Sequence, residues 1–235
     1  MEALLLAGGK AERLGEAAQG HPKPLVPVAG YPLAEYTVAR LADAGVTRVI
    51  VACRAGQEDM FVNALVGLGA EIEPVGEPEP LGRGGGLRLA ASHRREQGHV
   101  LALNGDELLD VDYRSLIADH ERAGAAATIV VAQVNSPFGV VELTDDGTVT
   151  GFREAPKLPH WVNSGVYVLG KEALERLPER GDHEQSTFPE LASEGKLRGY
   201  RHEGVWLTVN TPKDLRVAEE FLEAHPEWRP RRRNV

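Results

Sequence analysis

Three cations, Lys10, Arg13 and Lys23, fall within 14 residues of one another near the start of a chain whose formal net charge is −9. They follow the stretch LLLAGG, an apolar run that ends on Gly8 and Gly9. Paired glycines let the backbone turn sharply with its N–H groups exposed, which makes a cradle for anions. Arginine can grip two phosphate oxygens at once and lysine supplies a mobile point charge, so together they suit a polyphosphate. A second constellation lies in LNGDEL, residues 103–108, where Asp106 directly follows an apolar run and a glycine. A hard carboxylate there can hold Mg²⁺ between phosphates. Glycine density returns in EPEPLGRGGGL, residues 77–87, at the entry to a helix, and lets the backbone approach a planar ligand closely.

These groups need a scaffold that brings loop ends to one edge. EALLLA, RVIVAC and HVLALN are short apolar runs bounded by polar or turn residues, the pattern of strands buried on both faces. Ala34, Thr37, Val38 and Leu41 recur at helical spacing until Gly45, and Tyr113, Leu116, Ile117 and His120 repeat that spacing behind Asp112. Alternating strands and helices predict an α/β fold with a parallel sheet, whose ligands collect beyond the carboxyl ends of the strands. From about Ala126 the texture changes. ATIVVAQV, FGVVEL, TVTGFRE and NSGVYVL have few helices between them, so an antiparallel or mixed extension of the sheet is expected, closed by a helix carrying Leu215, Ala218 and Leu222.

With 235 residues, 42% hydrophobic and 26% charged, the chain can bury one substantial core without a second domain. Its acidity argues against a protein that tracks nucleic acid through a broad basic face, and the terminal RPRRRNV reads as a short solvated tail. The run Leu4 to Ala7 is too short to span a membrane and has no basic segment before it, so the cytoplasm is the expected compartment. Cys53, the single cysteine, lies in an apolar run and reads as a packed thiol. The eight histidines show no metal-ligand spacing. GVYVLGKE, residues 165–172, approaches the phosphate-loop pattern, but Glu172 stands where a hydroxyl is needed and VYVL reads as a strand.

LAGGKAERL followed by HPKPLVPVAGYPLAEYTVARLADAG resembles the N-terminal signature of the sugar-1-phosphate nucleotidylyltransferases, which make nucleotide sugars from an NTP and a sugar 1-phosphate. EPEPLGRGGGL, LNGDELLDVD, FGVVEL, FREAPKLPHWVNSGVYVL and GVWLTVNTPKDLRVAEEFL fall in the family's order over nearly the whole chain. The resemblance implies a Rossmann-like three-layer sandwich with a mixed, mostly parallel sheet, the nucleotide-diphospho-sugar transferase type. It implies one domain over 1–235, with a nucleotide-binding lobe at 1–110 and a sugar-phosphate lobe at 111–235. Arg13 and Lys23 would hold the triphosphate and stabilise charge developing at the α-phosphorus, with Asp106 as the first metal ligand and Mg²⁺ as the cofactor. The nucleotide is expected over Leu6, Ala7, Gly8, Gly9 and Lys10, and over Glu77, Gly82 and Gly85; the sugar phosphate over Gly139, Glu154, Asn163 and Gly165.

Several positions depart from the family's pattern. Ala11 and Glu12 stand for its Gly and Thr, Arg83 for a Thr, and Ala155 for a lysine expected at the sugar's phosphate. The late aspartate is replaced in both its forms, by Thr208 and by Asn210, and the Asn210 carbonyl is the expected second, uncharged metal contact. Glu77 lies where thymidylyl-type members read the base with a Gln. A carboxylate only accepts, and guanine offers two adjacent donors, so Glu77 or Glu79 points to GTP and a mannose- or heptose-1-phosphate guanylyltransferase-like activity. UTP-, dTTP- or CTP-dependent transfer is the alternative within the class, and a non-catalytic sugar-nucleotide sensor the alternative outside it. The expected partners are small molecules, with no nucleic acid and no membrane; a homo-oligomer stays open.

Overall fold

The computed structural model describes residues 1–232. Seven strands form the central sheet: β1 (Glu2–Leu6), β2 (Arg48–Arg54), β3 (Glu71–Glu77), β4 (Val100–Asn104), β5 (Ala127–Asn135), β6 (Lys157–Leu169) and β7 (Leu197–His202), in the order β7-β5-β6-β4-β1-β2-β3. The block β4-β1-β2-β3 is parallel, as is the pair β5-β7, and β6 runs antiparallel to both of its neighbours. The sheet is thus mixed and mostly parallel, and the change of texture at Ala126 marks where the antiparallel pairing begins.

Helices α1 (Leu33–Asp43), α2 (Glu58–Leu65) and α4 (Tyr113–Ala123) bury Val38, Phe61 and Leu116 against Leu5, Val51 and Leu103 on one face of the sheet. Helices α3 (Gly82–Ser92), α5 (Lys171–Glu175) and α6 (Thr187–Ser193) bury Leu87, Ala173 and Phe188 against Leu4, Ile50 and Tyr167 on the other. Apolar residues on both faces of β1 and β2 explain why those strands read as continuous runs rather than alternating ones. α7 (Pro212–Ala224) starts on a capping box between Thr211 and Asp214, and α4 starts on Asp112, which accepts from the N–H groups of Arg114 and Ser115. Gly45, with φ of 101°, follows α1 in the left-handed region.

A two-stranded ribbon, Val140–Leu143 with Val149–Arg153, stands outside the main sheet. Cys53 is buried, and burial pushes its thiol up to about 12, in keeping with a packed group. The terminal segment is tied where a free tail was expected: Arg232 donates to Glu35 on α1 at 2.6 Å and to the carbonyl of Ala64. Residues 233–235 of that segment lie outside the described residues. No helix among the described residues is long and apolar enough to cross a membrane.

Candidate active site

The carboxyl ends of β4, β1, β2 and β3 lie side by side, and the loops that leave them wall a cleft of about 790 Å³. After β1, the Ala7 N–H still pairs with the Ala52 carbonyl at 2.7 Å, and the chain then turns through Gly8 and Gly9. After β4, the Gly105 N–H donates to the Leu6 carbonyl at 2.9 Å. A Cβ on Gly105 would stand 2.8 Å from that oxygen, so only glycine lets the loop lie flat across β1 and present Asp106. The Val209 N–H on the Asp106 carbonyl then brings Asn210 alongside.

Lys23 enters from the short turn Lys23–Leu25 with its side chain only 9% exposed. Its ammonium donates to the Asp106 carboxylate and, at 2.6 Å, to Asn210 Oδ1, which also accepts from Arg13 Nη2 at 3.1 Å. Four predicted residues that lie up to 197 positions apart therefore meet at one point. Glu12 turns outward onto Lys10 at 3.3 Å, both exposed, which removes its conflict with a bound anion.

Glu107, beside Asp106, accepts from Trp206 Nε1 at 2.9 Å and Asn104 Nδ2 at 3.2 Å. Burial, and then the Asp106 charge, push its carboxyl up to about 7, against the opposing pull of those two donors and Lys23. Gly165 is what makes room for it: with φ of +74°, a Cβ there would lie 2.4 Å from Asn104 Nδ2 and 2.8 Å from both Glu107 oxygens. Sequence reasoning missed Glu107, although it adjoins the Asp of LNGDEL.

At the opposite end, Glu77 closes β3. Its Oε2 accepts from the Leu81 N–H at 3.1 Å, while Oε1 faces Gly8 and Gly86, where added Cβ atoms would come within 3.1 Å and 2.8 Å. Burial raises its pKa, partly offset by the Leu81 N–H and the nearby Arg54 charge. Glu79, in contrast, is exposed and paired with Arg180.

The remaining glycines of that segment serve packing. Gly82 lines the cleft, but Cβ atoms on Gly82 or Gly84 would strike the Gly181 carbonyl, and one on Gly85 the Glu179 carbonyl at 2.7 Å. Ala7 and Gly85 are buried beneath the cleft surface. Leu6, Gly8, Gly9 and Lys10 line it.

The sugar-side residues divide. Asn163 is spent internally: its Oδ1 accepts from the Gly165 N–H at 2.9 Å, and its Nδ2 donates to Tyr167 Oη and to Glu184 Oε1 at 2.7 Å. Glu184 in turn pairs with Arg83 at 2.7 Å, and Arg83 also meets Asp182. This chain of contacts ties β6 to the start of α3, and no local pattern announces it. Gly139 and Glu154 lie at the root of the outlying ribbon. The Phe152 ring and the Glu154 carboxylate there would come within 2.5 Å and 2.9 Å of a Cβ on Gly139, and neither residue lines the cleft.

Among the described residues no group of three or more His, Cys, Asp or Glu is placed to hold a metal by itself. One carboxylate oxygen of Asp106 and the amide oxygen of Asn210 nevertheless converge on a single cation, the Lys23 ammonium. Two hard oxygens aimed at one point fit a divalent ion that completes its shell with phosphate and water oxygens.

The sequence pattern of the nucleotidyl transferase family matches residues 2–225. The chain belongs to that family. Mannose-1-phosphate guanyltransferase beta-A of Xenopus laevis is 33% identical over 97% of this chain and 68% of its own length. Mannose-1-phosphate guanyltransferase of Emericella nidulans is 35% identical over 92% of this chain and 62% of its own. The chain thus spans about two thirds of these curated relatives. The crystal structure of HddC from Yersinia pseudotuberculosis complexed with GMP-PN superposes with a TM-score of 0.72 at 23% identity, covering 94% of this chain and 99% of that one, which shows a shared fold.

Proposed function

We propose that this nucleotidyltransferase transfers a guanylyl group from GTP to a mannose- or heptose-like sugar 1-phosphate, with release of pyrophosphate. The observation that carries the reading is the division of the cleft. Cations and hard oxygens gather over β4 and β1, whereas a desolvated acceptor, Glu77 Oε1, waits without a hydrogen-bond partner among the described residues at the end of β3. The names of the relatives agree with it. On this reading residues 1–110 carry the nucleotide and residues 111–235 the sugar phosphate. The single, buried Cys53 suits a cytoplasmic enzyme.

In the reaction a sugar-phosphate oxygen forms a bond to the α-phosphorus as the bond from that phosphorus to the bridging oxygen of the pyrophosphate breaks. Arg13 and Lys23 hold the phosphates and offset the charge that develops there, and the Gly8–Gly9 backbone offers N–H donors to the anion. Asp106 and Asn210 would hold Mg²⁺, which supplies charge neutralisation between phosphates. Arg83, held by Asp182 and Glu184, fixes the far wall.

The test is pyrophosphate release from GTP, UTP, dTTP, CTP and ATP against a panel of sugar 1-phosphates. GTP should exceed UTP and dTTP at least about tenfold in kcat/KM, because a site built for hydrogen bonds strongly rejects a mismatched base. Glu77→Gln should erode that preference and Glu79→Gln should not. Preference for UTP or dTTP would remove the guanine reading, and nucleotide binding with no pyrophosphate from any pair would make the chain a sensor.

A further inference from the structure

Arg54 is the last residue of β2 and was not among the residues singled out in the sequence. Its Nε donates to the Gly8 carbonyl at 3.2 Å, which fixes the guanidinium at the cleft wall. The two terminal amino groups have no hydrogen bond or ion pair among the described residues. Other cations of the cleft are engaged: Lys10 by Glu12, Arg13 and Lys23 by Asn210, and Arg83 by Asp182 and Glu184. Arg54 is also the direct neighbour of Glu77 in the parallel register of β2 and β3.

Position along the sheet edge decides what such a free fork would meet. Asp106 follows β4, Gly8 follows β1, Arg54 ends β2 and Glu77 ends β3. Two strand spacings, roughly 10 Å, separate the strand of Arg54 from that of the Lys23–Asp106 centre, so Arg54 belongs to the end of the cleft opposite the reacting phosphorus. Guanine presents the N1–H and N2–H₂ donors on one edge and the O6 and N7 acceptors along the adjoining edge, and an acceptor next to a forked donor matches the two edges together.

We propose that Arg54 is a second base-reading residue, which donates to O6 and N7 of a 6-oxopurine while the neighbouring Glu77 accepts from N1–H and N2–H₂. The inference rests on the guanylyl reading above and adds to it which half of the base each side chain discriminates. Adenine carries an amino donor in place of O6, so Arg54 should reject ATP. Inosine triphosphate keeps O6 and N7 and lacks only the N2 amine, so Arg54 should accept it and only Glu77 should register the difference.

The experiment measures kcat/KM for GTP, ITP and ATP in the wild type, Arg54→Gln and Arg54→Lys. Preference ratios taken on one preparation do not depend on how much of it is folded. Gln pairs with the N6/N7 edge of adenine, so Arg54→Gln should reduce the ITP-to-ATP preference by roughly 5- to 100-fold while leaving the GTP-to-ITP ratio unchanged. Arg54→Lys, which keeps a donor toward O6 and N7, should retain most of the preference. An equal loss for all three nucleotides would place Arg54 on the phosphates or in the scaffold and overturn the inference while leaving the guanylyl reading intact. Unchanged ratios in Arg54→Gln would overturn it as well. A wild type that uses neither GTP nor ITP would overturn both.

Discussion

Lys23→Met separates a structural ion pair from a catalytic cation. The methionine keeps most of the buried stem and deletes the ammonium, the group that bonds to Asp106 and lies 2.6 Å from Asn210 Oδ1. Folding should change little. Lys23 loses a buried charge whose desolvation was costly, and the Asp106 side chain, 28% exposed, can take up water in its place, so we expect a net change within about 2 kcal/mol of either sign. Catalysis should change far more. A preorganised donor aimed at developing charge contributes on the order of 10²–10³ in kcat, or about 3–4 kcal/mol, and Arg13, which shares the Asn210 Oδ1 acceptor with Lys23 but has no bond to Asp106, restores only part of it. The assay is steady-state pyrophosphate release, paired with direct GTP binding and thermal unfolding. Because the charge develops only in the transition state, kcat should fall much more than GTP affinity. A folded variant whose kcat falls less than tenfold, or whose loss lies entirely in GTP binding, would refute the assignment.

Three further outcomes follow from the same geometry. Asn210→Asp places a carboxylate between two cations, Lys23 and Arg13, so the protein should fold and half-saturate with Mg²⁺ at a lower concentration in a titration of pyrophosphate release; a higher concentration would remove Asn210 from the metal's shell. Gly165→Ala forces a Cβ at positive φ into Asn104 and Glu107, and should cost at least about 2 kcal/mol by denaturant unfolding together with most of the turnover; wild-type stability would contradict the close packing. His183 is fully buried against Tyr167 and Phe188, and neither ring nitrogen has a hydrogen-bond partner among the described residues. Burial, with Arg83 adding and Asp182 opposing, lowers its pKa to about 4. The folded state therefore favours the neutral ring. The stability this confers is complete above the unfolded value of about 6.5 and is lost as pH falls from there toward 4, about 2 kcal/mol by pH 5, so His183→Leu should flatten the melting-temperature profile between pH 7 and 5.

The strands of the parallel block could be read directly, because burial on both faces leaves continuous apolar runs, and so could the residues that sit at or just after their ends: Gly8, Gly9 and Asp106. Arg13 and Lys23 were readable as cations near that edge. What joins them to Asn210 was readable only through family resemblance, since the Val209 to Asp106 hydrogen bond is a contact across half the chain. The glycine density of residues 82–86 points to a planar ligand, yet most of these glycines yield to the loop at Glu179–Gly181, and composition cannot distinguish room made for a ligand from room made for a neighbouring loop. Glu107 looks like an ordinary residue after the aspartate because its burial depends on Gly165, which lies beyond α4, β5 and the two strands of the ribbon.

Arg54 shows most clearly where such reading stops. RVIVACR ends on a cation as LLLAGGK does, but only LLLA is followed by paired glycines, and a lone arginine after a strand is usually solvated. Its significance comes from the parallel register, which sets it beside Glu77, and from the Gly8 carbonyl that holds it at the cleft. Strand order is therefore the missing variable. Once β4, β1, β2 and β3 are known to be neighbours, four loop ends that are far apart in the chain become a row about 15 Å long, with cations and hard oxygens at one end and a desolvated acceptor at the other. A nucleotide can satisfy both ends only by lying along that row, phosphates over β4 and β1 and base over β2 and β3, and that orientation makes Arg54 and Glu77 the pair to vary when the base is changed.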